Sequence, residues 1–320
     1  MAVASFSNLN PVAIPGVGTS GTGSPYPSLI GVGGLQGGVT RVGVTLKGLS
    51  HTYPDDVDVL LVAPDGTTRS LVMSDAGTNL DVTAVNLAFD DNFPDALPDS
   101  AQILSGSYKP SDYGATADAF PAPAPAGPYA ADFKTFRGVN PNGTWRLYIN
   151  DDAGADSGNL AQGWELRLFH GANPVFGDDG DNLIKLKKSI NTYAGGPGAD
   201  TYRLGKKATR STYLRKLDHI TDFDTVNDRI DYGFKGPRPF GKDFGSLSSL
   251  NARALKKKFK PNKLKKKAWG TFTVGSGGPE SERTFLILND LKAGFQLKRD
   301  FLVEITGYFG SNALTNLNVI

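Results

Sequence analysis

The sequence predicts an all-β chain in two parts, the first an antiparallel β-sandwich of jelly-roll type. Three observations lead there. Short runs of alternating apolar and polar residues recur across residues 1–170, and that half carries no helix-length 3.6-residue pattern. Glycine (39) and proline (20) are abundant among 320 residues, which favours many strands joined by turns. Charge also changes sign near residue 170. Residues 1–170 carry 8 Lys+Arg against 17 Asp+Glu, and the remainder 26 against 15, a swing hidden by the net charge of +2. It predicts two units, 1–171 and 172–320.

The strands of the first unit can be taken in order. VTRVGVTLKGL (39–49) alternates cleanly, so one face is apolar and the other polar. VDVLLVA and TTRSLVM flank PDG (64–66), a hairpin turn in which proline sets φ and glycine tolerates the left-handed region. DVTAVNLAF (81–89), GTWRLYIND (143–151) and WELRLFH (164–170) complete the set. AFPAPAPAGPYA (119–130) reads as an extended Pro/Ala linker or long loop.

Composition excludes several chemistries. With no cysteine there is no disulfide, thiolate metal site or cysteine nucleophile. No apolar run approaches the ~20 residues of a membrane-spanning helix. MAVASFSNLNPVAIPG lacks the basic start and apolar core of a secretory signal peptide, so any export address is expected elsewhere, at the C-terminus. GVGTSG (16–21) fits a dinucleotide glycine pattern but is followed by proline-rich TGSPYPS where a helix should begin. The sequon NGT (142–144) falls on the tight turn before Trp145, and the turn accounts for it.

Three segments of this half resemble one family. SHTYPDDVDVLLVAPDGT (50–67), FDDNFPDALPDSAQILSGSYKP (89–110) and FRGVNPNGTWRLYINDDAGADSGNLAQGWELRLF (136–169) are similar, in order and spacing, to the P domain of kexin- and furin-like proprotein convertases. The resemblance implies a β-sandwich, which agrees with the strand reading. In convertases this domain follows and stabilises a subtilisin-like catalytic domain, and no such domain is expected here. His51, His170 and His219 lack G-x-S-x-G or H-E-x-x-H surroundings and read as structural. The chain is therefore expected not to be an enzyme.

Two acidic groups stand out. DDAGADSG places Asp151, Asp152 and Asp156 in one glycine-bearing loop, and FDD adds Asp90 and Asp91. Such loops supply the oxygens that Ca²⁺ takes, and bacterial P domains are similar in carrying calcium. A solvated turn is the other reading, and both stay open.

In the second unit, residues 177–203 set in rows of nine read GDDGDNLIK, LKKSINTYA and GGPGADTYR. The third row fits G-G-x-G-x-D-x-U-x and resembles the calcium-binding nonapeptide of RTX proteins. That resemblance implies a short parallel β-roll in which turns eighteen residues apart stack. Calcium would sit between Gly177, Asp178, Gly180, Asn182 of one turn and Gly195, Gly196, Gly198, Asp200 of the next. Asn182 in place of an acid, a middle row without glycine, and nearby Lys185, Lys187 and Lys188 all weaken attraction for a dication. One site is expected, of the ~10⁻⁴–10⁻³ M class of extracellular modules, against a roll stub that binds nothing.

Downstream, HITDFDTVNDRIDYG (219–233) resembles the segment following such repeats in serralysin-type C-terminal domains. The final stretch from Arg283 is similar to the C-terminal module of cyanobacterial surface proteins of the "bluetail" type, with TFLILND and FLVEITGY as strands. The resemblance implies leaderless type I export and an extracellular or cell-surface location, with folding completed by calcium outside the cell. NARALKKKFKPNKLKKKAWG (251–270) carries eight Lys and one Arg. It reads as a helical or disordered solvated face, or as a contact for an anionic surface polymer, with nucleic acid disfavoured because few aromatics and no nucleic-acid fold accompany it. The expected function is a non-enzymatic, calcium-binding exported surface protein. The alternative is an accessory subunit of a separate subtilisin-like protease.

Overall fold

Strands form where alternation lets one face meet a core. A computed structural model describes residues 2–114, 117–187, 191–204, 214, 217–233, 241–275, 283–290, 292–296, 300–305, 307–308, 313–314 and 317–320. The chain is all-β and divides into two compact units, residues 2–170 and 171–320. Among the described residues no helix is long and apolar enough to cross a membrane.

The first unit packs two sheets on one shared core. One is ordered Ala2–Asn8, Trp164–Gly171, Gly38–His51, Gly158–Leu160, Val12–Ile14, with Val82–Phe89 also on Gly38–His51. The other runs Ser111–Asp112, Arg69–Ser74, Val57–Val62, Gly143–Asp151, Gly21–Thr22, and Ser28–Val32 pairs with Gly143–Asp151. Pleating sends Val42, Val44 and Leu46 inward from the first sheet, against Val57, Val59, Leu61, Trp145, Leu147 and Ile149 from the second. The same pleat turns Asp58, opposite Asn150, to the outer face of the second sheet. Nothing in AVASFSN predicts a strand. It becomes one by pairing antiparallel from Ala2↔His170 to Asn8↔Trp164.

Residues 119–130 form a loop, but not a spacer between units. Phe120 and Tyr129 meet edge to face at 5.3 Å and cover Leu60, Val62, Leu71 and Tyr148 on the outer face of the second sheet. The buried Trp164 donates from Nε1 to Ser28 Oγ at 3.0 Å. Trp164→Phe removes this bond and leaves a gap, and should cost about 1–2 kcal/mol, read as a lower urea midpoint with unchanged slope.

In the second unit two parallel ladders share a core. Leu183–Leu186, Thr201–Leu204, Arg229–Asp231 and Asn318–Val319 form one. Pro174–Phe176, Thr192–Ala194, His219–Ile220 and Phe301–Glu304 form the other, which continues through Arg283–Leu288 and Trp269–Val274 to Lys242–Leu247. The first coil is offset by eighteen residues in both ladders, as Leu183↔Thr201 and Pro174↔Thr192. Ile184, Tyr202 and Ile230 stack in register inside. The strands expected in TFLILND and FLVEITGY form and pair antiparallel.

The lysine-rich segment is neither wholly solvated nor a free loop. Asn251 caps a helix, Ala252–Lys258, by accepting from the Ala254 N–H at 2.9 Å. Leu255, Phe259 and Leu264 anchor the segment in a core with Phe272, Phe285 and Leu302. The lysines lie around that anchor, with Lys256–Lys258 in the last helical turn, where the helix dipole favours cations.

Candidate metal centre

The glycine-rich turns of the second unit stack, and four of their glycines have a local reason. Gly196 and Gly198 have φ of +94° and +122°, the left-handed half of the map that side chains disfavour. Gly177 and Gly195 are needed for close approach. A Cβ on Gly177 would lie 1.9 Å from Asn182 Oδ1, and one on Gly195 would lie 1.9 Å from Asp200 Oδ2. The sixth-position side chain therefore folds back over the first glycine in both turns.

The two turns use that side chain differently. Asn182 closes its own turn: Oδ1 accepts from the Asp178 N–H at 2.7 Å, while Nδ2 donates to Asp178 Oδ1 and to the Gly180 carbonyl. Asp200 reaches the preceding coil, accepting from the Asn182 N–H on Oδ1 at 2.9 Å. The Asp200 N–H in turn donates to Asp228 Oδ1 at 2.8 Å. Positions 182, 200 and 228 are thus one ladder, in which each carboxylate holds the backbone of the coil before it.

Asp200 is fully buried, and its Oδ2 has no hydrogen-bond partner. Burial, then the carboxylates of Asp222, Asp181 and Asp178, push its pKa up to about 7. Asp228 rises to about 8, again chiefly by burial. Asp222 accepts from the N–H groups of Gly195 and Gly196 at 3.1 and 2.9 Å. Asp178, fully exposed, is held below the usual carboxylate range by its bond from Asn182. Among the described residues of these turns, the donor set fits a hard cation at the unpartnered Asp200 Oδ2, beside Gly195. Lys188 lies outside the described residues.

A third coil went unread in the sequence. Asp228-Arg229-Ile230 repeats the sixth-to-eighth pattern of Asp200-Thr201-Tyr202, but at an offset of twenty-eight residues, Thr201↔Arg229. Residues inserted after Leu204 break the period while the ladder continues.

The acidic residues of the first unit do not all gather as their spacing suggested. Arg41 Nε lies 2.8 Å from both oxygens of the buried Asp90, which commits that carboxylate to an ion pair. Asp91 accepts from the Phe133 N–H at 3.0 Å, and burial raises it to about 7. Strand alternation sends Asp151 inward, where His51 Nε2 donates to its Oδ2 at 3.2 Å. Asp156 accepts from Thr52 Oγ1 at 2.9 Å. Asp151, Asp152 and Asp156 all lie near Asp56, and burial followed by these three carboxylates pushes the Asp56 pKa up to about 6. Burial with Asp75 and Asp55 raises the pKa of Asp152. The loop 151–156 thus sets its three carboxylates around Asp56, with Asp151 bonded to His51 and Asp156 to Thr52.

Neither a family model, nor a curated protein, nor a solved structure matches the chain.

Proposed function

We propose that the chain is a calcium-binding, non-enzymatic protein of the cell exterior. In this reading residues 2–170 are a P-domain-like interaction module, and residues 171–320 an RTX-like roll whose folding is coupled to calcium and which serves type I export. One observation carries it: a buried Asp200 with an unpartnered oxygen, inside glycine turns stacked at eighteen residues. A buried carboxylate oxygen without a donor is costly in water-free surroundings, and a hard dication removes that cost. The histidines support a non-catalytic role, since His51 is buried against Asp151, His170 Nδ1 contacts the Gln36 carbonyl at 2.7 Å and His219 is buried within a strand.

The test is equilibrium dialysis with calcium alone and a thermal melt followed by circular dichroism, on the full chain and on Asp200→Asn. Calcium at about 100 times its dissociation constant should add ~2.7 kcal/mol, or roughly 5–10 °C. Asp200→Asn should bind one ion fewer and show a smaller gain. An unchanged ion count and an unchanged gain in the variant would remove the repeat from the calcium chemistry.

A further inference from the structure

A second group of oxygens lies on the outer face of the first unit, at residues no sequence motif connects. Asp58 comes from the Val57–Val62 strand, Asp75 follows the Arg69–Ser74 strand, and Asp118 stands in the loop that leads into the 119–130 cover. One carboxylate oxygen from each lies within 4.8 Å of the others. Asp58 is 2% exposed.

Ser74 alone cannot hold this group together. Ser74 Oγ lies 2.7 Å from Asp58 Oδ1, 2.8 Å from Asp118 Oδ1 and 3.2 Å from Asp75 Oδ2. A hydroxyl carries one proton, so it can satisfy only one of those three acceptors at a time. Asp152 adds a fourth carboxylate, which interacts with both Asp58 and Asp75. Among the described residues, no Lys, Arg or His forms an ion pair with any of the four.

An independent observation points to the same place. Asn150 is 5% exposed, and its Oδ1 is buried with no hydrogen-bond partner. It sits directly opposite Asp58 in the antiparallel register, so both side chains project from the same face. A buried amide oxygen without a donor, on the same face as carboxylates without an ion-pair partner, suits a metal. All the atoms are hard oxygens, with no imidazole or thiolate, and carboxylates predominate. That is the donor chemistry of calcium.

We propose that Asp58, Asp75, Asp118 and Asn150, with Asp152 beside them, form a calcium site on the first unit, separate from the glycine turns of the second. The ion ties two neighbouring strands to the loop before the 119–130 cover, and so fixes that cover over Leu60, Val62 and Tyr148.

Calcium dialysis of the full chain, with Asp58→Asn and Asp118→Asn beside Asp200→Asn, tests this. Asp58→Asn keeps volume and the acceptor for Ser74, and Asp118→Asn changes a less buried loop residue, so one failing to fold leaves the other informative. Each should bind one ion fewer than the parent. In chelator at alkaline pH, where the carboxyls are ionised, each should melt above the parent because like-charge repulsion is relieved, and each should gain less from calcium. Asp58→Asn and Asp200→Asn combined should lose two ions. A parent-like ion count in both first-unit variants would show that the cluster holds protons and would overturn the site, whatever Asp200→Asn does.

Discussion

Replacing Asp151 with alanine is expected to cost about 3–5 kcal/mol of stability, the largest loss anticipated from any single change in the first unit. Asp151 and His51 are both almost wholly buried, at 0% and 2% exposure, and His51 Nε2 donates to Asp151 Oδ2. The contact joins Gly143–Asp151 of one sheet to the end of Gly38–His51 of the other. Removing the carboxylate leaves a buried imidazole N–H without an acceptor, in a place water cannot easily reach. Burial raises the Asp151 pKa while the His51 contact opposes the rise. By calorimetry the melting temperature should fall by roughly 10 °C. Asp151→Asn keeps an acceptor and should lose far less. Replacing His51 and Asp151 together by leucine should cost less than Asp151→Ala alone, because no polar group is then stranded. If the double replacement instead costs the sum of the single ones, the pair is not coupled.

The same contrast shows what sequence could disclose. The VTRVGVTLKGL and GTWRLYIND stretches were legible as strands, and the first runs on to His51. Their meeting at His51 and Asp151 was not, because it depends on which strands become neighbours. Spacing grouped Asp151, Asp152 and Asp156, and all three do lie near Asp56, but their separate commitments to His51 and Thr52 had no sequence signal. Asp58, Asp75 and Asp118 had no local signal at all, since sheet order alone brings them together. In the second unit the eighteen-residue echo was legible, and the first coil of each ladder pairs at that offset. The next coil escaped notice because its offset lengthens to twenty-seven or twenty-eight residues. The lysine segment is helical, one of the two readings it allowed, but its anchoring was hidden for a related reason: Leu255, Phe259 and Leu264 are sparse among charges, yet enough to bury one face of a short helix.

In chelator, the protein should be more stable near pH 5 than near pH 8, and calcium should remove or reverse the difference. Burial raises Asp58 and Asp228 to about 8 and Asp91 to about 7, while the unfolded chain titrates them near the ordinary aspartate value of about 4. A carboxyl whose pKa is raised by folding binds more protons folded than unfolded between those two values. Its stabilising contribution is full below about pH 4 and is lost as pH rises through 7 to 8. Every tenfold gain in proton affinity on folding is worth about 1.4 kcal/mol, so groups this deeply buried together move stability by several kcal/mol, on the order of 10 °C in melting temperature. Asp200, raised to about 7, adds in the same direction. Calcium binds the ionised forms and so competes with those protons. Its stabilisation should be small at pH 5 and large at pH 8. Asp91, raised by burial and bonded to the Phe133 N–H, belongs to neither proposed site and should keep a residual slope when calcium is saturating. A melting temperature in chelator that stays level from pH 5 to pH 8 would mean that these carboxylates are ionised without a cation, and a calcium gain independent of pH would mean that the ion binds somewhere other than these aspartates.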